Sequence, residues 1–292
     1  MGRAFAGTLP EADEVFELGS EASGLDLRRL SFEGPLEELT ETEIQQPALV
    51  TASLACLRAV EASGLRPDAV VGHSVGEYSA LAACGALSPS EAVALVSVRG
   101  RATAAAAAEH PGAMAAVLGL EDAVIEELCA EVADVWPANY NCPGQIVVSG
   151  SDEAVDRLIA LATERGARRA IKLAVTGAFH SPLVGSAAEA LSNALADLEP
   201  REPEVPFMST VTARFEGRGA LPGLLVEQLT APVRFTQAVA ALVDDGVSLF
   251  VEVGPGQVLS GLVRRCDRSV TTVSVGDPDS LAKLEEVLSA ER

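Results

Sequence analysis

The sequence predicts an α/β fold in which a mostly parallel sheet carries an inserted small domain. Three features predict it. The apolar run Ala69–Val71 precedes a Gly-x-Ser-x-Gly turn and the helix-compatible run Tyr78–Cys84, so a strand leads through a tight turn into a helix. Residues 113–175 follow the order βαββαβ, and the chain after residue 182 alternates helices with strands again. Such alternation is typical of parallel sheets covered by helices on both faces.

Composition narrows the class of protein before any motif is considered. The chain has 292 residues, of which 48% are hydrophobic, so it can bury a large core. Its apolar runs stay short of the ~20 residues of a membrane-spanning helix, and we expect no targeting signal in residues 1–8. The net charge of −21 would repel nucleic acids and anionic membranes, so we expect neither as a partner.

The cysteines predict reduced thiols rather than disulfides or a metal site. They are five in number, scattered, and nowhere spaced as metal ligands: Cys56, Cys84, Cys129, Cys142 and Cys266. We therefore expect a cytoplasmic protein without a structural metal. A monomer is expected as well.

The first third of the chain is predicted to be mainly helical. A proline opens a short helix within residues 9–16, and the apolar run Gln46–Val60 forms a second helix with Pro47 at its start. Gly64 follows the end of that helix. After the turn and its helix, Pro89–Thr103 is predicted as a further helix that runs into the alanines up to residue 108.

The middle of the chain is predicted to form the small domain. Its strands are Ala113–Leu118, Val135–Asn139, Gln145–Ser149 and Ala170–Val175, and its helices are Asp122–Ala133 and Asp152–Arg165. A βαββαβ unit of this size commonly folds as a ferredoxin-like sheet with both helices on one face. We therefore assign residues 112–175 to a ferredoxin-like domain, and residues 1–111 with 176–292 to the large α/β domain.

The last third returns to the large domain. Its predicted elements are helix Pro182–Leu198, strand Pro206–Met208, helices Leu221–Leu229 and Phe235–Asp244, strand Ser248–Val253, helix Gln257–Arg265, strand Val270–Val275 and helix Ser280–Glu291.

The turn Gly72-His-Ser-Val-Gly76 predicts a nucleophilic serine. A serine between a strand and a helix in this pattern has strained backbone geometry and an exposed hydroxyl, and glycines allow the two elements to approach. The N–H of Val75 lies at the start of the helix and is a candidate oxyanion donor. A bare match to five residues is more often a loop, so the prediction that Ser74 is a nucleophile depends on the flanking strand and helix.

A serine nucleophile needs a general base, and the chain has only three histidines. His73 adjoins Ser74, and neighbouring side chains on such a turn diverge. His110 precedes the small domain and is expected to face solvent. His180 lies on the loop that leaves the small domain, where a cleft between the domains is expected. A capping or packing histidine is the alternative there, but elimination among the three favours His180 as the base.

Several segments together resemble a known family, the malonyl-CoA:acyl carrier protein transacylases and related acyltransferase domains of fatty acid and polyketide synthases. They span nearly the whole chain in order: Gln45–Leu49, Gly72–Ala80, Arg99, Asn141–Gln145, Gly177–Ser181, Gln228 with Pro232–Phe235, and Val253–Leu259. The resemblance implies a hydrolase-like α/β domain with an inserted ferredoxin-like domain.

The resemblance also implies a two-step acyl transfer. Ser74, deprotonated by His180, would take the malonyl group from malonyl-CoA, and the phosphopantetheine thiol of an acyl carrier protein would then remove it. A carbonyl of Gln228 would orient His180. No metal or resident cofactor is required.

Substrate-binding residues follow from the same resemblance. Arg99 matches the arginine that binds the free malonyl carboxylate through two parallel hydrogen bonds, although an exposed helix charge is the alternative. Phe179 matches the bulky residue that accompanies malonyl rather than methylmalonyl units, and core packing is its alternative. His73 and Asn141 are the other two residues predicted to bind substrate.

The family begins with an apolar strand and a Gly-Gln-Gly loop whose glutamine binds the oxyanion, and this sequence starts downstream of both. We expect the natural protein to begin upstream, because loss of a central strand and of one oxyanion donor would weaken folding and turnover.

Two other functions remain open at this stage. A serine hydrolase or esterase shares the turn, but that fold usually has its histidine near the C-terminus. A truncated, inactive relative that binds the carrier protein is the second. The basic run at Arg165, Arg168, Arg169 and Lys172 is the expected carrier-docking surface, with a solvated face as the alternative.

Overall fold

The α/β class predicted from the sequence is confirmed in the computed structural model, which describes residues 1–290. The helices are α1 Pro10–Ser23, α2 Leu27–Glu33, α3 Leu36–Leu39, α4 Thr42–Ala62, α5 Gly76–Ala83, α6 Pro89–Glu109, α7 Asp122–Glu131, α8 Asp152–Glu164, α9 Ala187–Ala196, α10 Leu221–Glu227, α11 Phe235–Asp244, α12 Val258–Cys266 and α13 Pro278–Ala290. The strands are β1 Val70–Val71, β2 Ala113–Leu118, β3 Val135–Cys142, β4 Gln145–Gly150, β5 Arg169–Lys172, β6 Phe207–Ser209, β7 Arg214–Glu216, β8 Leu249–Val253 and β9 Thr271–Val275.

The middle of the chain forms a four-stranded antiparallel sheet in the order β3-β4-β2-β5. An apolar cluster joins this sheet to α7 and α8: it includes Ile125, Leu128, Ile146, Val155 and Leu158, all fully buried. These helices present apolar residues at helical spacing, so one face of each packs on the sheet. The sheet therefore has its own interior, and β3 and the loop after it reach toward the turn at Ser74.

The parallel strands of the rest of the chain do not form the single sheet that was predicted. β1 pairs in parallel with β6, β6 pairs antiparallel with β7, and β8 pairs in parallel with β9 as a separate two-stranded sheet. The alternation of helix and strand in a sequence indicates strand direction, but strand order depends on contacts between distant segments. The prediction of one mostly parallel sheet was wrong for this reason.

The large interior surrounds α4 and α6, which pack against each other and against α1 and α5. Phe16, Leu54, Tyr78 and Leu81 are among its fully or nearly fully buried side chains. The long helix α6 begins with a capping box, in which the Ser88 hydroxyl accepts from the backbone N–H of Glu91 and the Glu91 carboxylate accepts from that of Ser88. This helix carries Arg99 into the interior.

Several predicted boundaries differ from the structure. Pro47 lies inside α4 rather than at its start, and the predicted helix Pro182–Leu198 is a short 3-10 helix Pro182–Val184 followed by α9. The elements α2, α3 and β7 were not predicted. The last residue of the predicted helix Ser280–Glu291 lies outside the described residues. Across residues 1–290, no helix combines the length and the apolar character needed to span a membrane.

Candidate active site

The turn between β1 and α5 brings Ser74 to the surface in a strained conformation. Ser74 has a φ of 52°, in the left-handed region that residues other than glycine rarely adopt. A Cβ atom at Gly72 would lie 2.2 Å from the backbone of Gly76, so only glycine fits there. A Cβ atom at Gly76 would meet open space. The prediction that close packing requires a glycine at both positions is therefore wrong for Gly76. The Ser74 side chain is half-buried in this turn.

His180 and Ser74 meet although 106 residues separate them. The Oγ of Ser74 lies 2.7 Å from the Nε2 of His180, which is hydrogen-bond distance. His180 is 4% exposed and also has a left-handed backbone, with a φ of 57°. The Ser181 hydroxyl donates to the Ala178 carbonyl and accepts from the Leu183 N–H, so the turn is tied on both sides of the histidine.

The other ring nitrogen of His180 is bound by backbone carbonyls. Nδ1 lies 2.9 Å from the carbonyl oxygen of Gln228 and 3.1 Å from that of Ala231. Because carbonyls only accept hydrogen bonds, Nδ1 carries the proton and Nε2 presents its lone pair to Ser74. Burial, and then the nearby Arg99 cation, lower the pKa of His180 to about 3. The histidine is therefore neutral at pH 7, which is the state that a general base needs.

Arg99 lies in the same site and is 4% exposed, so the alternative of an exposed helix charge is wrong. One terminal nitrogen donates to the Ser74 Oγ at 3.1 Å and to the Gln228 Oε1 at 3.3 Å. The other donates to the Gln46 Oε1 at 2.6 Å. All of these partners are neutral oxygens, and the buried Nε has no partner within residues 1–290. A buried cation in these surroundings favours an incoming anion.

Gln228 contacts the site through both its backbone and its side chain. Its backbone carbonyl accepts from His180, as described above. Its side-chain nitrogen donates to the backbone carbonyl of Ser74 at 3.3 Å and to the Glu77 carboxylate, while its side-chain oxygen accepts from Arg99. The carbonyl that contacts the histidine is thus the main-chain one.

The remaining predicted residues border the site. The His73 Nε2 lies 2.8 Å from the Asn141 Oδ1, and its ring lies 5.3 Å from that of Phe235, so His73 turns away from Ser74. Phe179 is half-buried and packs against both the large interior and the apolar residues on the other face of the four-stranded sheet. Within residues 1–290, the N–H of Val75 donates no backbone hydrogen bond, which leaves it available to a ligand.

Sequence reasoning missed several polar residues that support the site. Gln46 accepts from Arg99 and donates to the Thr103 hydroxyl, and Glu77 accepts from Thr210. All four of these side chains are buried: Gln46, Glu77, Thr103 and Thr210. Glu77 follows Ser74 by one helical turn, and a charged residue directly before the largely apolar run Tyr78–Ala83 is the signal that could have identified it.

The arrangement has the parts of a covalent acyl-transfer site: a hydroxyl with a neutral histidine in contact, a free N–H next to it, and a fixed cation. Within residues 1–290, no cluster of histidine, cysteine, aspartate or glutamate has the geometry of a metal site.

Comparison with known proteins identifies the family. The family described as the acyl transferase domain matches residues 1–282. The chain is 42% identical to the malonyl CoA-acyl carrier protein transacylase of Bacillus subtilis (strain 168), with 100% of this chain and 93% of that protein covered.

Solved structures agree. The malonyl-CoA:acyl carrier protein transacylase of Xanthomonas oryzae pv. oryzae superposes with a TM-score of 0.95 at 45% identity, covering 98% of this chain and 93% of that one. A type II PKS acyl-carrier protein in complex with its malonyl-transacylase gives a TM-score of 0.94 at 37% identity, covering 98% and 94%. This chain therefore belongs to the acyl transferase domain family and, within it, to the malonyl-CoA:acyl carrier protein transacylases.

Proposed function

We propose that this protein transfers a malonyl group from malonyl-CoA to the phosphopantetheine thiol of an acyl carrier protein, with Ser74 as the acyl carrier. One observation supports this most strongly: a neutral base and a buried cation both contact the same serine oxygen. The His180 Nε2 lies 2.7 Å from the Ser74 Oγ and an Arg99 nitrogen lies 3.1 Å from it. The contact with His180 suits attack of Ser74 on a thioester. The contact with Arg99 suits a thioester that also carries a carboxylate.

In the first step, the Ser74 Oγ attacks the thioester carbonyl carbon of malonyl-CoA while its proton moves to the His180 Nε2. The carbonyl oxygen becomes an oxyanion, which the Val75 N–H is placed to stabilise at the start of α5. Collapse breaks the carbon–sulfur bond, and His180 returns the proton to the departing CoA thiolate. The product is a malonyl ester on Ser74.

The second step reverses these roles. The carrier thiol gives its proton to the His180 Nε2, and its sulfur attacks the ester carbonyl carbon. The carbon–oxygen bond then breaks, and the Ser74 Oγ recovers the proton from His180. The hydrogen bonds from Nδ1 to the carbonyls of Gln228 and Ala231 stabilise the imidazolium that exists between the two transfers.

Arg99 accounts for the choice of a carboxylated substrate in this proposal. Its guanidinium is buried and hydrogen-bonds only to neutral oxygens, so a malonyl carboxylate would supply an anion in direct contact with it. Phe179, at the junction of two apolar clusters, limits the space beside the acyl group. His73 and Asn141, which bind each other beside Ser74, are proposed to contact substrate.

We extend the proposal to the finer architecture and setting. The strand order β3-β4-β2-β5 supports a ferredoxin-like domain over residues 112–175, and the strand, turn and helix around Ser74 support a hydrolase-like large domain over residues 1–111 and 176–292. The described thiols are all free, which suits the cytoplasm. The steps above use only side chains and backbone groups of this chain, so we propose no resident cofactor and a monomer as the working unit.

The carrier protein is the proposed partner, as the complex of a related malonyl-transacylase indicates for that protein. The predicted docking surface is weaker than the sequence suggested, because Lys172 forms ion pairs with Asp152 and Asp156, and Arg165 forms one with Glu131. Arg168 and Arg169 are the members of that run without an ion pair in residues 1–290.

Intact-mass measurement after mixing with malonyl-CoA tests the proposed function. We expect one malonyl adduct on the unmodified chain, none on Ser74→Ala, and transfer of the adduct to a carrier protein on addition. An adduct that persists in Ser74→Ala would overturn the assignment. Release of free malonate without acylation of the carrier would instead favour a hydrolase, and carrier binding without any adduct would favour an inactive relative.

A further inference from the structure

Glu77 is a buried carboxylate that lies one helical turn after the nucleophile and has no part in the two transfer steps above. It is 1% exposed, although it belongs to the first turn of α5, where carboxylates usually face solvent. One of its oxygens accepts from the backbone N–H of Thr210 at 2.6 Å and from the Thr210 hydroxyl at 2.7 Å. The other accepts from the side-chain nitrogen of Gln228. The carboxylate thus joins the helix of the nucleophile to the segment that binds the base.

The contacts of Glu77 determine which way the Gln228 amide faces. A carboxylate and the Ser74 backbone carbonyl can only accept hydrogen bonds, so the amide nitrogen of Gln228 must face both of them. The amide oxygen then faces the opposite way, where Arg99 can only donate. A reversed amide would place nitrogen against guanidinium and oxygen against carboxylate, so each of these contacts would become repulsive.

We propose that Glu77 is a positioning residue for the acyl transfer: by holding the Gln228 amide, it places Arg99 for the malonyl carboxylate and the Gln228 main-chain carbonyl for His180. This inference rests on the proposed function. The residue does not touch the substrate. Its effect passes through Gln228, because the Gln228 side chain contacts Arg99 and the Gln228 backbone carbonyl contacts His180.

Replacement by glutamine separates this role from packing. Glu77→Gln keeps the shape and can keep both hydrogen bonds from Thr210, but it places an amide nitrogen opposite the amide nitrogen of Gln228. If the Gln228 amide reversed to avoid this contact, the Gln228 nitrogen would face the Arg99 guanidinium instead. In either case two buried donors face each other, and the ordered contact between Gln228 and Arg99 is disturbed.

The expected result is a change in substrate choice. We expect Glu77→Gln to lower the ratio of malonyl to acetyl loading by about tenfold or more, with the larger part of the loss in kcat for malonyl-CoA. The matched control is Glu252→Gln, the same change at a half-buried carboxylate that accepts from the backbone N–H groups of Leu259 and Ser260 and does not contact Gln228. It should lower the melting temperature while leaving the loading ratio within about twofold of the unmodified chain.

A double-mutant cycle with Gln228→Leu tests whether Glu77 influences the loading ratio through Gln228. If Glu77 acts through Gln228, then Glu77→Gln has little further effect on the ratio in the Gln228→Leu background. Additive effects, or an unchanged ratio in folded Glu77→Gln, would overturn the proposal. If Glu77→Gln does not fold, Glu77→Asp in the same cycle replaces it, since the shorter side chain keeps the charge and withdraws from Gln228. Failure of the unmodified chain to load malonyl would overturn the proposed function itself, whereas normal loading with additive effects counts against Glu77 alone.

Discussion

Two buried regions of this molecule are assembled by different physical means. Between the four-stranded sheet and helices α7 and α8, the interior is apolar, with Ile125, Leu128 and Leu158 fully buried. Around Ser74, the interior contains a buried cation, a buried carboxylate and buried amides. Apolar contact is non-directional and tolerates small shifts, whereas each hydrogen bond in the second region needs a donor aimed at an acceptor. The first region should therefore govern stability and the second the reaction.

Among the described residues, buried polar groups without a hydrogen-bond partner occur in both regions, and the Ser149 hydroxyl on β4 is one of them. In the site, the Nε of Arg99 and the hydroxyl of Tyr78 are buried without a hydrogen-bond partner in the described part of the chain. Ser74 and His180 have left-handed backbone conformations, as do Asp134 and Ala213 among the non-glycine residues described. Strained backbone conformations such as those of Ser74 and His180 persist only where the surrounding structure fixes them. The site is thus held in place by the surrounding structure.

The largest effect that this contrast predicts is on His180. His180→Ala should lower the rate of malonyl loading by about 10²- to 10⁴-fold, because Ser74 loses the group that accepts its proton. The melting temperature should fall, because the buried ring and its hydrogen bonds are lost while alanine remains strained in the same left-handed backbone conformation. Rapid-quench measurements of adduct mass over time would give the rate. A loading rate within a factor of ten of the unmodified chain would show that the base lies elsewhere.

Substitution of Arg99 should have the next largest effect, on substrate choice. Arg99→Ala should cut malonyl loading by about 30- to 10³-fold relative to acetyl loading, because only the carboxylated substrate loses a buried, hydrogen-bonded ion pair. Arg99→Lys is the matched control: it keeps the charge but not the planar fork, so it should restore only part of the preference. The ratio of kcat/KM for the two CoA esters is the measurement. Equal losses for both esters would refute the role.

Leu158→Ala probes the apolar region. Leu158 is fully buried on α8, and its truncation should lower the free energy of unfolding by about 2–5 kcal/mol. The loading rate per folded molecule should stay the same, because no contact of the site runs through this side chain. Leu18→Ala on α1 is the control, since Leu18 is 42% exposed and should change stability by no more than about 0.5 kcal/mol. A large drop in loading rate for folded Leu158→Ala would show that the two regions are coupled.

The sequence predicted the apolar region better than the site. The strands and helices of residues 113–172 were placed within a few residues, because local alternation of apolar and polar side chains is enough to indicate them. Ser74 was selected as the candidate nucleophile by a local turn pattern and His180 as the candidate base by elimination among three histidines, and the structure places the two side chains 2.7 Å apart. Each of these inferences needed only residue type and short-range spacing.

Other parts of the site depend on contacts that no local pattern encodes. The Ala231 carbonyl, which accepts from His180, belongs to a residue whose side chain has no functional signal. The contacts of Gln46, Glu77 and Thr210 join segments that lie 53 to 151 residues apart in sequence. The order of the strands in the large domain was unpredictable for the same reason, since it too is set by long-range pairing.

The last and smallest effect concerns pH, and it tests whether the site is as buried as the structure indicates. Desolvation and the Arg99 cation lower the pKa of His180 to about 3, against about 6.5 for an exposed histidine. Because the fold favours the neutral ring, the stability that His180 contributes is complete above pH ~6.5 and is lost as the pH falls toward 3.

The same shift keeps the base active in mild acid. Between pH 7.5 and 5.5, malonyl loading by the folded chain should fall by less than about twofold, whereas a base with an ordinary pKa would lose roughly tenfold. In Arg99→Gln, the cation that disfavours the protonated ring is gone, so the acidic limb of the profile should move to higher pH. Loading rates normalised to pH 7.5, with circular dichroism at each pH to confirm folding, would measure both profiles. An acidic limb near pH 6.5 in the unmodified chain would mean that His180 titrates as an exposed group. Identical acidic limbs in the two proteins would mean that Arg99 does not act on the pKa of His180.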